Sequence, residues 1–231
     1  MKRAQMFKLV SLILVVLGGV VLLAQTKLFA GLFQEENAVQ LCRTSFVTSS
    51  IANLPIAGKQ ADFECPREEV NIKKHEVSDR SGNVKTDLIL EMIGEQLVRC
   101  NFKTAEGTAD PYEQDLLTSS AACLVCAEIS FGDRLQETGI HDLDLVSFLD
   151  RDVPDKEYSY REYLEKNRGD VDYESGEGQI MHPVSVDREY YVMHLLTHAG
   201  DLPSFLVDAQ SAIIFVRKDQ YRDAGCSFLA N

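Results

Sequence analysis

The sequence predicts an α+β fold in which an N-terminal transmembrane helix precedes one mixed, disulfide-stapled domain. Three observations lead to this prediction. An uncharged apolar run, Leu9–Ala24, follows a basic N-terminus; one later stretch repeats apolar residues at helical spacing while others are β-like; and all six cysteines lie beyond the apolar run. We therefore divide the chain into a membrane helix over residues 1–33, a linker over 34–41 and an α+β domain over 42–231.

The apolar run alone is short for a membrane span. Its sixteen residues cover about 24 Å as a helix, against roughly 30 Å of hydrocarbon. A second apolar piece, Leu28–Phe33, lets a tilted helix reach across if Lys27 extends its amine toward the interface. The stretches that end at Ala24 and Ala30 lack the small residue that a signal peptidase needs two positions earlier, so we expect a retained anchor rather than a cleaved signal.

The charges around the run predict its orientation. Lys2, Arg3 and Lys8 precede it, and only Lys27 follows it closely. By the positive-inside rule the N-terminus stays in the cytoplasm. We thus expect a single-pass protein of the cell membrane whose C-terminal domain is extracytoplasmic.

The first residues also resemble another kind of leader. In the segment Lys2-Arg3-Ala4-Gln5-Met6-Phe7, charge and a small residue precede Gln-Met and the apolar run. Archaeal pilin-type (class III) signal sequences have this arrangement, although Lys8 departs from it. The resemblance implies that the leader is removed after Ala4, that the mature chain begins at Gln5, and that the apolar helix serves as membrane anchor and filament core.

The composition beyond the anchor is strongly acidic. The chain has 23 Lys and Arg against 36 Asp and Glu. Four of the basic residues and none of the acidic ones precede Gln34, so the remainder carries a net formal charge of −17. This charge argues against nucleic acid and against an anionic membrane surface as partners. It indicates a solvated acidic surface or, as the sharper alternative, cation binding; we expect no cofactor.

The cysteines predict a disulfide framework. They are even in number and lie in the part expected to face an oxidising or thiol-free space, where pairing is the default. Six cysteines allow fifteen connectivities, and the sequence does not choose among them. The candidates are Cys42, Cys65, Cys100, Cys123, Cys126 and Cys226.

The first part of the domain reads as short strands followed by one clear helix. Residues 44–66 are rich in Ser and Thr and suit short strands and loops, and Glu69–Val77 alternates as an exposed strand does. Asp79–Asn83 reads as a turn. Val84–Phe102 follows as a helix, and its apolar face is Leu88, Met92, Ile93, Leu97 and Cys100.

The rest of the domain alternates between strands and short helices. Ala121–Phe131 is almost unbroken apolar sequence and fits a central strand. His141–Leu149 and Asp155–Asn167 fit short helices. Asp187–Thr197 and Ser211–Lys218 are dense in β-branched and aromatic residues and predict two more strands.

The motif Cys123-x-x-Cys126 has three interpretations. Its spacing serves redox dithiols and zinc knuckles. However, the apolar neighbours bury the pair in a strand, and no second close pair of cysteines exists. Since alternate strand residues point to opposite faces, we expect the two thiols to form structural disulfides with different partners.

Two metal hypotheses follow from spacing. His194 and His198 are four residues apart and could bind a metal if Asp201 or His182 supplied a third ligand, although the segment lacks the metalloprotease Glu. Ordinary half-buried strand histidines are the simpler interpretation. Four acids could offer oxygens to Ca²⁺, but their spacing is not that of an EF-hand and also suits a helix start; they are Asp150, Asp152, Asp155 and Glu157.

The order of motifs resembles a known set of proteins. A Cys-Pro follows the first strands, a helix ends in Cys100 before Glu106-Gly107, a C-x-x-C strand follows, and a Tyr-rich helix precedes a late cysteine. This order is similar to that of uncharacterised, membrane-anchored archaeal proteins known from environmental genomes. Asn101 departs from the Trp expected there. The resemblance implies a location and a disulfide framework, with no activity attached.

The sequence therefore predicts a membrane-anchored extracytoplasmic protein that acts in binding or in cell-surface structure. Its expected partners are the membrane, through the N-terminal helix, and other proteins or copies of itself. A pilin-like filament subunit and an anchored metal-dependent enzyme using His194 and His198 are the alternatives. No hydrolase elbow or phosphate loop occurs, so an enzyme is the weaker expectation.

Overall fold

The computed structural model describes residues 38–48, 65–108, 121–154, 156–166, 183–197, 210–222 and 228–230. The chain divides into two compact units, Met1–Gln40 and Leu41–Asn231, and nearly all described residues belong to the second. Leu9–Ala24 lies outside the described residues, and among those that are described no helix has the length and apolarity of a membrane span. The predicted anchor and its boundaries thus stay predictions.

The fold is mixed α and β, as expected. In chain order the elements are the helical residues 38–48 (α1), β1 (Glu68–Ile72), α2 (Thr86–Lys103), a 3₁₀ turn (Ala105–Gly107), β2 (Ala121–Phe131), α3 (Asp133–Gln136), α4 (Leu145–Phe148), α5 (Tyr160–Glu165), β3 (Tyr190–Thr197), β4 (Gln210–Arg217) and β5 (Phe228–Ala230). The predicted central strand has the observed bounds of β2. The predicted long helix differs from α2 only at its ends.

The sheet is built around β2. Its order is β1-β2-β3-β4, and β5 also pairs with β2. Both β1 and β5 run parallel to β2 and pair with different parts of it, whereas β3 and β4 are antiparallel neighbours. Because β1 and β2 are parallel, the chain has to cross back between them, and α2 lies in that crossover.

Helices cover one face of the sheet. The main apolar core joins α2 to this face through buried residues such as Ile93, Leu97, Leu124 and Ile213. A smaller cluster, which includes Cys123, Val125 and Met193, lies on the opposite face. The apolar face of α2 is rotated from the predicted one, because Ile89 and Leu90 are buried while Leu88 is exposed.

The expectation of strands and loops at the start of the domain is wrong for residues 44–48, which belong to α1. Cys42 and Phe46 are one helical turn apart, and both are fully buried. The Phe46 ring packs edge-on against His194, and Cys42 is bonded to Cys65. These tertiary contacts outweigh the weak strand preference of the Ser and Thr residues.

The strand predicted over Glu69–Val77 ends early, at Ile72. The backbone N–H of Lys73 donates to the Glu76 carboxylate at 2.7 Å, and Glu76 N–H donates to Lys73 O at 3.0 Å. These two bonds close a turn directly after β1. Lys73, Lys74 and His75 therefore belong to a loop rather than to an exposed strand.

Two disulfides are confirmed, Cys42–Cys65 and Cys100–Cys126. In the second, Cys126 lies on the α2 side of the sheet, like Leu124 two residues before it, and there it meets Cys100. A β-bulge follows at this position, because the pairing of β2 with β3 steps from Val125↔Met193 to Ala127↔Val192.

Candidate functional site

A cleft opens at the end of the sheet where β1 and β2 terminate. Its volume is about 710 Å³. Four cationic side chains line it, and we call it the basic cleft after them: Lys73, Lys74, Arg80 and Arg134. His75, Asp79 and Asp133 also line it.

The parallel pairing of β1 with β2 explains why the cleft forms at this place. The two strands end in register at Ile72 and Phe131, and Gly132 N–H donates to Ile72 O at 2.9 Å. The loop after β1 and the start of α3 after β2 therefore emerge side by side. In sheets with parallel strands, ligands commonly bind at the carboxyl ends of those strands.

Gly132 lies at the junction of these two segments. A β-carbon at residue 132 would lie 3.4 Å from Asn71 Oδ1 and 3.7 Å from Lys73 Cγ, which are ordinary van der Waals distances. The stem of Lys73 therefore lies directly beside the start of α3.

One wall of the cleft is the turn predicted over Asp79–Asn83. The Asp79 carboxylate accepts hydrogen bonds from the backbone N–H of Asn83 at 3.0 Å and of Ser81 at 2.9 Å. Lys85 Nζ lies 3.3 Å from the other carboxylate oxygen. The Asn83 bond first, and Lys85 and Ser81 with it, hold the pKa of Asp79 below its usual value. Arg80 lies in this turn, and the charge of the Asp79 carboxylate beside it is already balanced by Lys85.

The cations of the basic cleft differ from most others in the described part of the chain. None of the four forms an ion pair within 4 Å with a described carboxylate, and Lys156, Lys166 and Arg222 are the other described cations of this kind. The remaining described cations each pair with a carboxylate; they are Arg43, Arg67, Lys85, Arg99, Lys103, Arg151, Arg161, Arg188, Arg217 and Lys218. Unpaired positive charge is therefore concentrated in the cleft.

The residues of the C-x-x-C motif do not form a reactive pair. Cys126 is bonded to Cys100, and Cys123 lies on the opposite face of the sheet and is also disulfide-bonded. Cys226, the remaining cysteine and the expected partner of Cys123, lies outside the described residues. The prediction that the two thiols bond to different partners is confirmed for Cys126, and this bond rules that thiol out as a zinc ligand or resting dithiol.

The described residues do not support either metal hypothesis. Among them, no three His, Cys, Asp or Glu side chains lie close enough together to bind one metal ion. His194 is fully buried in β3, deeper than the half-buried position expected, and its ring meets Phe46. His198, like His182 and Asp201, lies outside the described residues. Among the four acids, Asp155 is not described, and Asp150 accepts from Arg161 Nε at 2.6 Å.

A serine, a histidine and an aspartate also come together, but not as a nucleophilic triad. Ser185 Oγ lies between His141 Nδ1 and Asp187, and it donates to the carboxylate. In a hydrolase the histidine lies between the other two groups. The bond from Ser185 lowers the pKa of Asp187. This cluster joins two segments of the chain next to the β-bridge that Leu143 forms with Val184.

Sequence reasoning missed the four cleft residues. The signal was available, since Lys73-Lys74-His75 is a basic cluster in an acidic chain, followed by a Gly-containing turn. Alternation over Glu69–Val77 placed it on a strand instead. Arg134 could not be assigned to the same site from the sequence, because it lies next to Lys73 and Lys74 only through the pairing of β1 with β2.

In comparisons with known proteins, no family model, no curated protein and no solved structure matches the chain.

Proposed function

We propose that this chain is a membrane-tethered extracytoplasmic protein whose domain binds an anionic ligand in the basic cleft. The observation that carries the proposal is the concentration of unpaired cations in the cleft of a chain with a net charge of −13. The tether and the location rest on the sequence.

Charge and size both support an anionic ligand. Neighbouring like charges repel each other, and an opposite charge placed among them is stabilised. Acids are in excess over the whole chain, yet no described carboxylate forms an ion pair with any of these four cations. A volume of about 710 Å³ lies within the range of about 300–1,000 Å³ that is typical of small-molecule sites.

The test is thermal unfolding of the purified full-length chain in phosphate or sulfate, compared with chloride at equal ionic strength. A ligand that binds only the folded state raises the unfolding midpoint. Since these salts also stabilise proteins generally, the readout is the difference between variants. We expect Lys74→Gln/Arg134→Gln to lose part of the rise. The control Lys156→Gln/Arg222→Gln, which removes two unpaired cations elsewhere, should keep it; equal rises in both variants contradict anion binding in the cleft.

The two alternatives stay predictions from the sequence. Mass spectrometry of the mature N-terminus tests the filament subunit, because a chain that starts at Gln5 supports it and an intact Met1 opposes it. Metal analysis of the purified chain tests the metal enzyme. That hypothesis fails if zinc is absent and His194→Ala changes no binding.

A further inference from the structure

The basic cleft, whose anion binding is the function proposed above, has more positive charge than one carboxylate group would balance. Among its lining residues, four unpaired cations face one free carboxylate, that of Asp133. The other acid, Asp79, already has Lys85 beside it. Counted over the lining residues and without His75, the excess is therefore about three unit charges, and the Glu76 carboxylate, which accepts from Lys73 N–H, is one further acid nearby.

The four cations come from three separate parts of the chain. Lys73 and Lys74 lie in the loop after β1, Arg80 lies in the turn over Asp79–Asn83, and Arg134 lies in α3. Side chains from all three segments line the same open cleft. A ligand with more than one anionic group can engage cations from more than one of these segments.

Phosphoryl groups fit this arrangement better than carboxylates do. Each phosphoryl group carries about 1.5 to 2 negative charges and three strong acceptor oxygens. Arginine bonds to phosphate with two parallel N–H groups, and lysine is a common point-charge partner of phosphate. Two phosphoryl groups bring about three to four negative charges, a number comparable to that of the four cations that line the cleft.

We propose that the basic cleft recognises a diphosphate or bisphosphate group. The same chemistry occurs in soluble organic diphosphates and in lipid headgroups with two phosphates. The net charge of the domain opposes approach to an anionic bilayer as a whole, so a headgroup would have to enter the cleft itself.

The first experiment is titration calorimetry of the full-length chain with inorganic pyrophosphate, orthophosphate and an oligoglutamate peptide. We expect pyrophosphate to bind at least about tenfold more tightly than orthophosphate, because its second phosphoryl group adds charge-assisted hydrogen bonds. Lys74→Gln and Arg134→Gln should each weaken pyrophosphate binding about tenfold, while Lys156→Gln leaves it unchanged.

The outcomes separate this inference from the proposed function. Equal affinity for pyrophosphate and orthophosphate, or tighter binding of the peptide, overturns the diphosphate inference and leaves anion binding in place. Absence of binding by all three anions overturns both. An equal loss in Lys156→Gln also overturns the inference, because the effect would then be one of net charge alone.

A second measurement identifies the source of the diphosphate group. The full-length chain is placed in phosphatidylcholine nanodiscs with and without a polyprenyl diphosphate, a lipid whose headgroup is a diphosphate, and the pyrophosphate titration is repeated. Weaker apparent pyrophosphate affinity in the discs that contain this lipid, absent in Arg134→Gln, supports a lipid source. Unchanged affinity supports a soluble one. Weakening that persists in Arg134→Gln contradicts occupation of the cleft by the lipid.

Discussion

The ring of Tyr160 lies directly against the backbone of Gly94 in the middle of α2. A β-carbon built at residue 94 would stand 2.9 Å from Tyr160 Cε1 and 3.1 Å from Phe148 Cε1. Tyr160 is almost fully buried, and its ring packs on Phe148 with centroids 5.3 Å apart. The absence of a side chain at Gly94 therefore lets α4 and α5 pack closely on α2.

Replacement of this glycine tests that contact. In an exposed helix Gly→Ala stabilises by about 1 kcal/mol, but here the methyl group meets a buried ring that cannot swing into solvent. Overpacking of this kind costs about 1 to 3 kcal/mol. We expect Gly94→Ala to lower the free energy of unfolding, measured with urea. In a Tyr160→Leu background the same substitution should be less costly, and an equal cost there would show that the ring is not the obstacle.

The hydroxyl of Tyr160 is buried without a hydrogen-bond partner among the described residues. Burial, helped by the charges of Glu91 and Glu95, raises its pKa to about 12. We expect Tyr160→Phe to be neutral or stabilising by about 1 kcal/mol at neutral pH, since it removes an unpaired polar group. A large loss of stability would instead reveal a bond that the hydroxyl needs.

The same group makes stability depend on alkaline pH. The unfolded chain releases the proton near the ordinary value of 10.0, whereas the folded chain keeps it to about 12. The contribution is therefore fully present below pH 10 and is lost as the pH rises toward 12, by an amount of about 2 kcal/mol. Urea unfolding across this range should show a smaller loss in Tyr160→Phe than in the wild type. Parallel curves would contradict the raised pKa.

Glu106 has a backbone conformation that residues other than glycine rarely adopt. Its φ is 56°, and that of Ala105 before it is 53°. Its carboxylate accepts from Tyr163 Oη at 3.1 Å and lies 3.9 Å from Arg43. Glu106→Gly and Glu106→Ala both lose these contacts, but glycine adopts positive φ freely, so we expect the glycine variant to be more stable by about 1 kcal/mol.

The control for this comparison is Glu91, inside α2. There the order should reverse, with Glu91→Ala more stable than Glu91→Gly by about 1 kcal/mol. Urea unfolding of all four variants measures both differences. The same order at both positions would contradict a left-handed backbone at Glu106.

A non-reducing peptide map tests the disulfides. We expect the bridges Cys42–Cys65 and Cys100–Cys126. Because Cys123 is also bonded, the remaining cysteine, Cys226, is its expected partner. Thiol counting under denaturing conditions should find almost none. A Cys123–Cys126 bridge would contradict the opposite faces of β2, and six free thiols would contradict both the bridges and the extracytoplasmic location.

The hydrophobic pattern of the sequence predicted most helices and strands, but it predicted the residues at which they begin and end less well. Ala121–Phe131 has the same bounds in sequence and structure because it is an almost unbroken apolar run, of which residues 123–127 are buried on both faces of the sheet. The helix predicted over Asp155–Asn167 begins only at Tyr160, where Ser159 and Glu162 form a capping box. The strand predicted to Val77 ends at Ile72, because the Glu76 carboxylate closes a turn that alternation does not encode.

The sequence by itself determined the mixed fold class, the central strand, the long helix and the pairing of cysteines as disulfides, because these follow from local periodicity and composition. Only the tertiary structure decided which cysteines pair, because a bond between Cys100 and Cys126 requires α2 to pack on the face of β2 that holds Cys126. It also decided the basic cleft. Lys73 and Arg134 are far apart in sequence, and they line one space only because β1 and β2 pair in parallel and end together at Ile72 and Phe131.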